Sequence, residues 1–169
     1  MDFSQLIKKR YSCRHYSSDP VPDNLLNQVL EAARLAPTAA NKQPFKLLVI
    51  PTSTYQTQLE KIYPKDWFVQ APYVICACAL PERGWVRHRF DGQNYSTVDV
   101  SIVVDHITLQ AADLGLATCW VGAFNPQEAR DQLDLADDLT PVAFTPLGYP
   151  LDSAATKERK SLSDLVEFI

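Results

Sequence analysis

Two groups of cations bracket this acidic chain. Lys8-Lys9-Arg10-Tyr11-Ser12-Cys13-Arg14 follows a short N-terminal helical pattern, and Lys157-Glu158-Arg159-Lys160 lies near the far end. With 16 Lys plus Arg against 20 Asp plus Glu, such crowding of positive charge asks for a cause beyond composition. An anionic ligand is one cause. Guanidinium groups make paired, planar hydrogen bonds to phosphate, and Ser12 between Arg10 and Arg14 adds a hydroxyl and a backbone N–H. Arg10, Arg14, Lys157 and Arg159 together carry the charge a phosphate monoester dianion needs. The competing account is a solvated charged turn and a second solvated run, because charge runs commonly only keep a surface wet.

Other chemistry is absent from the motifs. No Gly-x-Gly-x-x-Gly follows a strand pattern, and no Gly-x-x-x-x-Gly-Lys or Gly-x-Ser-x-Gly occurs, so a phosphate must be held by side chains. Cys13, Cys76, Cys78 and Cys119 lack zinc or dithiol spacing and read as structural thiols, and His15, His88 and His106 are too dispersed for a metal motif. No metal site is expected.

The chain has 169 residues, 46% of them apolar, which suits one globular domain over 1–169. A net charge of -4 argues against a general nucleic-acid or membrane-surface role, both of which rest on a broad basic face. No run approaches the ~18 apolar residues of a membrane span, and the N-terminus lacks the apolar core of a signal peptide. A cytoplasmic protein with small-molecule partners is the expectation.

The elements that must position these residues follow from periodicity. Asp2 caps a first helix with Phe3, Leu6 and Ile7 at helical spacing. A second begins at Pro22-Asp23, carries Leu25, Leu26, Val29, Leu30 and Ala33, and stops at Ala36-Pro37. Pro37 to Pro44 then forms an irregular loop, since the residue before a proline is pushed out of the helical region. Phe45 to Ile50 is a strand, Thr52 to Tyr63 a polar helix, and 73 to 80 a buried strand. The stretch Pro81 to Ser96 has little periodicity and is long for a loop in a small domain; it is either a functional lid or disordered, and its Arg and aromatic content favours the lid. Thr97 to Leu114 is the core helix, with Val100, Val103, Val104, Ile107, Ala111 and Leu114 following the 3.6 period. Ala117 to Gly122 is a strand, Asn125-Pro126-Gln127-Glu128 starts a capped helix, Pro141 to Pro150 is a final strand, and Leu162, Leu165 and Val166 mark a last short helix. About four strands and five or six helices without regular β-α-β alternation predict an α+β sandwich.

Four stretches in this order carry a resemblance: Arg10-Tyr11-Ser12-Cys13-Arg14, Ala36-Pro37-Thr38-Ala39-Ala40-Asn41-Lys42-Gln43-Pro44-Phe45, Leu114-Gly115-Leu116-Ala117-Thr118-Cys119-Trp120-Val121-Gly122, and Leu147-Gly148-Tyr149-Pro150 with Lys157-Glu158-Arg159-Lys160. Together they resemble the flavin-dependent nitroreductase family over nearly the whole chain. The resemblance implies an α-β-α sandwich around a mostly antiparallel sheet. It also implies an intertwined homodimer with two FMN molecules at the subunit interface, and ping-pong reduction of nitroaromatics, quinones or similar acceptors by NADH or NADPH.

By position, the resemblance assigns Arg10, Tyr11, Ser12 and Arg14, with Lys157 and Arg159, to FMN and its phosphate. It assigns Pro37, Thr38, Ala39 and Asn41 to a loop reaching the partner's flavin, and Val121 and Gly122 to backbone lining the ring. Thr38-Ala39-Ala40 departs from the usual serine-bearing loop, which leaves fewer hydroxyl contacts. Hydride enters and leaves at flavin N5, so no side-chain nucleophile and no acid–base residue is named. The chain lacks the long insertions of larger members, so substrate contacts are expected from Trp85, Arg87, Arg89, Phe90 and Tyr95. A flavin-storing, sensing or delivering protein is the alternative from another class, and a flavin-fragmenting or dehalogenating enzyme the alternative within the fold.

Overall fold

The structure, a computed structural model, describes residues 2–153 and 157–169. Helix α1 (Phe3–Lys9) is followed by α2 (Asp23–Leu35), strand β1 (Phe45–Pro51), α3 (Thr52–Ile62), β2 (Tyr73–Ala79), α4 (Ser96–Asp113), β3 (Ala117–Thr118), α5 (Pro126–Leu133) and β4 (Thr140–Gly148). The strands form one sheet in the order β1-β2-β4-β3, each neighbouring pair antiparallel. This is the α+β sandwich expected from the pattern.

Strand β2 explains the layering. Successive side chains of a strand face opposite ways, and here both faces are apolar. Val74, Cys76 and Cys78 join Leu59, Ile62, Phe68 and Phe144 beneath α3 and α5. Ile75 joins Val103, Ile107 and Leu147 beneath α2 and α4, and Ala77 and Ala79 meet Val100 and Val104 on that same side. The two thiols fill space as small hydrophobes.

Local signals set the helix ends. The Asp2 carboxylate accepts the Gln5 N–H at 3.0 Å, and the Asn125 side chain accepts from the N–H groups of Gln127 and Glu128 with Pro126 at the first helical position. No helix among the described residues is long and apolar enough to cross a membrane.

Two elements differ from expectation. The strand over Ala117 to Gly122 pairs only at Ala117–Gly148 and Thr118–Leu147, then resumes in the same register at Val121–Phe144. In that register Cys119 lies opposite Pro146, which has no N–H to offer the ladder, so the pairing breaks there. Val121 and Phe144 then exchange both backbone hydrogen bonds, at 2.8 and 3.0 Å. The last helix is a single 3₁₀ turn, Leu162–Asp164, held by a Ser161–Asp164 capping box. Leu162, Leu165, Val166, Phe168 and Ile169 are all exposed, so that segment has no apolar face of its own chain to pack on.

Candidate functional site

The Arg10–Arg14 stretch runs in extended form along the outer edge of β3. Ser12 bridges Thr118, and the Cys13 N–H donates to the Thr118 carbonyl at 3.0 Å. Cys13 is buried, and extended backbone alternates its side chains, so Ser12 and Arg14 face solvent. The buried thiol donates to the His15 carbonyl and to Asp152, and burial above all pushes its pKa up to about 11. The Tyr11 hydroxyl donates to the Asp152 carboxylate at 2.7 Å and to its carbonyl at 2.8 Å. Tyr11 therefore spends its hydroxyl on holding this segment, and what it offers an anion is backbone.

The two basic clusters converge. Lys157 donates from Nζ to the Lys8 carbonyl at 2.8 Å. Burial, with the guanidinium groups of Arg10 and Arg159 adding to it, holds the Lys157 ammonium below the usual lysine pKa of 10.5. The Cys119 thiol is raised by burial and drawn partly back by Arg14, Ser12 and Arg10. Among the described residues, Arg10, Arg14, Lys157 and Arg159 form no ion pair with a carboxylate. Arg14 is instead held over the Trp67 ring, 5.7 Å from its centroid. Cations gathered this closely without a carboxylate paired to them among the described residues suit an anion supplied from outside.

The Pro37–Gln43 loop is at the other end of α4. Across its 3₁₀ turn, Ala39–Asn41, and the two residues after it, Ala40, Asn41 and Gln43 take the left-handed region at φ of 50, 53 and 51°. Ala39 donates its N–H to Asp99 in the first turn of α4 at 2.8 Å. Arg10 and Tyr11 instead line a cavity of about 70 Å³ with Thr108, Ala112 and Leu116 at the C-terminal end of that helix. Asp99 and Ala112 are separated by roughly 20 Å of helix at 1.5 Å per residue. That cavity also falls well short of the ~300 Å³ at which organic-ligand pockets usually begin. Within one chain, the cations and the loop do not enclose a common site.

Within the Pro81–Ser96 stretch, a 3₁₀ turn over Pro81–Arg83 leads into a hairpin over 85–95 that runs up to α4. Arg87 N–H donates to Gln93 C=O and Tyr95 N–H to Trp85 C=O, both at 3.0 Å, with Val86 bridged to Asn94 and Gly92 turning at φ 70°. Trp85 and Tyr95 meet edge to face at 5.2 Å, while Arg87 donates to the Tyr95 hydroxyl and pairs with Asp91. Three of the five expected substrate residues are thus engaged within the hairpin. Arg89 and Phe90 are exposed at its tip, the guanidinium lying 5.7 Å from the ring centroid.

Val121 and Gly122 follow the break opposite Pro146, where Trp120 is exposed and Thr118 adjoins Ser12. The structure thereby groups Arg10, Tyr11, Ser12, Arg14, Lys157 and Arg159, with Val121 and Gly122 on the neighbouring stretch, and keeps Pro37, Thr38, Ala39 and Asn41 apart from them. Sequence reasoning missed Trp67, Asp152 and Asp99. Of these, only Asp99 carried a local signal, a carboxylate on the apolar stripe of the core helix.

A model of the Nitroreductase family matches residues 7–67 and 53–149. A putative NADH dehydrogenase/NAD(P)H nitroreductase of Methanothermobacter thermautotrophicus is 27% identical, over 94% of this chain and 82% of that protein. An FMN reductase (NAD(P)H) of Bacillus subtilis is 28% identical, over 88% of this chain and 66% of that one. The crystal structure of a nitroreductase family protein from Clostridium difficile superposes with a TM-score of 0.91 at 39% identity, covering 99% of this chain and 98% of the other. On this footing, and with the same four motif stretches lying where the fold can use them, the chain belongs to the nitroreductase family.

Proposed function

We propose that the protein is an FMN-dependent NAD(P)H oxidoreductase that reduces flat electrophilic acceptors such as nitroaromatics or quinones. The observation that carries this reading is the convergence of Arg10, Ser12 and Arg14 with Lys157 and Arg159, cations without a carboxylate partner among the described residues. That donor set fits a phosphate monoester. Arg10 and Arg14 supply planar N–H pairs, Ser12 a hydroxyl, and Lys157 a point charge.

Bound there, FMN supplies hydride chemistry at its N5 atom. The chain's own residues then have simpler tasks. Arg10, Ser12, Arg14, Lys157 and Arg159 hold the phosphate, the Val121-Gly122 backbone lines the ring, and the Thr38–Asn41 turn of a second subunit closes its other side. A two-fold dimer with antiparallel α4 helices brings the loop end of one helix beside the cationic end of the other. Exposed Phe3, Ile7, Leu35, Val98 and the apolar residues after Ser161 supply surface for such an interface. Arg89 and Phe90 at the hairpin tip meet the acceptor, a flat ring stacking on Phe90 and an anionic substituent pairing with Arg89.

The test is direct. Purified protein loaded with FMN is mixed anaerobically with NADH or NADPH, then with a nitroaromatic or a quinone. Bleaching of the flavin bands and their return on adding acceptor are expected. Protein that takes up no FMN sinks the reading, and FMN uptake without reduction by either nucleotide points to storage or delivery.

A further inference from the structure

Among the described residues, one hydrogen bond ties the Thr38–Gln43 turn to a distant element, and it ends on Asp99. Among the described residues, every other hydrogen bond of this turn is local: Asn41 N–H to Thr38 C=O at 2.9 Å, Lys42 N–H to Ala39 C=O at 3.2 Å, Gln43 N–H to Thr38 Oγ1 at 3.0 Å, the Gln43 amide to Asn41, and Phe45 N–H to Gln43 C=O. Ala39 N–H alone reaches across 60 positions to Asp99 Oδ1, at 2.8 Å. Asp99 is 2% exposed, and its Oδ2 is buried without a hydrogen-bond partner among the described residues.

Two costly features therefore meet at one spot. A buried carboxylate oxygen without a donor is unfavourable, and so are three left-handed non-glycine residues within four positions. Neither supports the sheet or the core, where an apolar side chain at position 99 would serve α4 as well. Both act on the backbone orientation of Ala39, Ala40 and Asn41. We infer that Asp99 is a positioning residue for the flavin site: its carboxylate pins the Ala39 N–H and so fixes the turn that faces the flavin of the other subunit. The inference rests on the FMN reading above and assigns Asp99 no contact with the reacting atoms.

Three variants test it in the full chain, read by FMN titration and by the visible circular dichroism of the bound flavin. Asp99→Ala removes the acceptor. Asp99→Asn keeps a carbonyl acceptor of the same shape. Ala39→Pro removes the donor and sets its ring Cδ against the Asp99 carboxylate, while Thr38, at φ -133° and ψ 155°, already has the extended backbone that precedes a proline. Asp99→Ala and Ala39→Pro are expected to weaken FMN binding about ten- to hundredfold, the usual effect of leaving the other partner of a buried hydrogen bond unsatisfied, and to alter the flavin dichroism. Asp99→Asn is expected to stay within about threefold of the unaltered chain with its dichroism preserved. A merely structural role would lower the melting temperature of the apoprotein while leaving the dichroism of flavin that still binds unchanged, and that result overturns the inference. So does normal FMN affinity in Asp99→Ala or, should that variant not fold, in Ala39→Pro. Failure of the unaltered chain to bind FMN is a different result, which removes the cofactor reading itself.

Discussion

Lys157 donates a hydrogen bond of 2.8 Å to the main-chain carbonyl of Lys8, fastening the C-terminal segment to the end of α1 across 149 positions. The bond uses one of three ammonium protons and neutralises nothing. Its effect is to keep Lys157 within the field of Arg10 and Arg159. Lys8 contributes its backbone here, while its own side chain remains exposed.

A pH dependence follows for FMN binding. Burial and the two guanidinium groups depress the Lys157 pKa in the free protein, and a phosphate dianion beside it would raise that value again. The protonated form binds the anion better, so affinity is greatest below the Lys157 pKa of the free protein and declines as pH rises through it. The decline should begin at a lower pH than an ordinary lysine, at 10.5, would give. Lys157→Met should bind more weakly at neutral pH and lose this limb of the profile, leaving only what the flavin's own ionisation contributes. FMN titrations across the alkaline range check it; an unchanged profile in the variant removes Lys157 from the phosphate site.

The hairpin residues should separate into two classes. Arg87 ties to Asp91 and to the Tyr95 hydroxyl, whereas Arg89 and Phe90 project at the tip. Arg89→Ala should raise KM for an anionic acceptor about 1.5-fold to fivefold, as expected for one exposed ion pair, while a neutral acceptor of the same shape is little affected. FMN affinity should remain as it was. Arg87→Ala should instead raise KM for both acceptors by loosening the hairpin. Steady-state and stopped-flow measurements with a matched pair of acceptors distinguish these effects, and equal losses on both acceptors in Arg89→Ala would count against a specific contact.

What the sequence revealed of this architecture depended on how local each cause was. Helix α4 was legible because Val100, Val103, Val104, Ile107 and Ala111 repeat the helical period and are all buried. The start of α5 was legible because cap, proline and glutamate lie within four residues. The interruption after Thr118 was not, because its cause is Pro146 on another strand. Leu162, Leu165 and Val166 have helical spacing, but spacing cannot supply a surface to pack against, and a single 3₁₀ turn forms. The hairpin hid its order in the symmetric pairing of Trp85 with Tyr95 and Arg87 with Gln93, which no period of 2 or 3.6 reports. The cationic half of the site could be read from residue types. Its separation from the Thr38–Asn41 half could not, since that depends on which end of α4 each segment meets.

That separation leads to a test of the shared site. If each flavin is held by the cations of one subunit and the loop of the other, damage to the two halves must complement. Arg14→Ala weakens the phosphate half, and Asn41→Trp obstructs the space the loop faces. Each variant alone forms dimers in which both sites carry the damage. In a mixed dimer, one site combines both lesions, while the other draws its cations from the Asn41→Trp chain and its loop from the Arg14→Ala chain, and so is intact. Random exchange makes about half the dimers mixed, so about a quarter of all sites should recover full FMN affinity, with the matching share of reductase activity. If each flavin were held within one chain, every site would keep its own lesion and mixing would restore nothing. Co-expression of the two variants with different affinity tags, purification of the doubly tagged dimer and FMN titration give the answer: one tight site per mixed dimer is expected, and none would show that the flavin does not bridge the two chains.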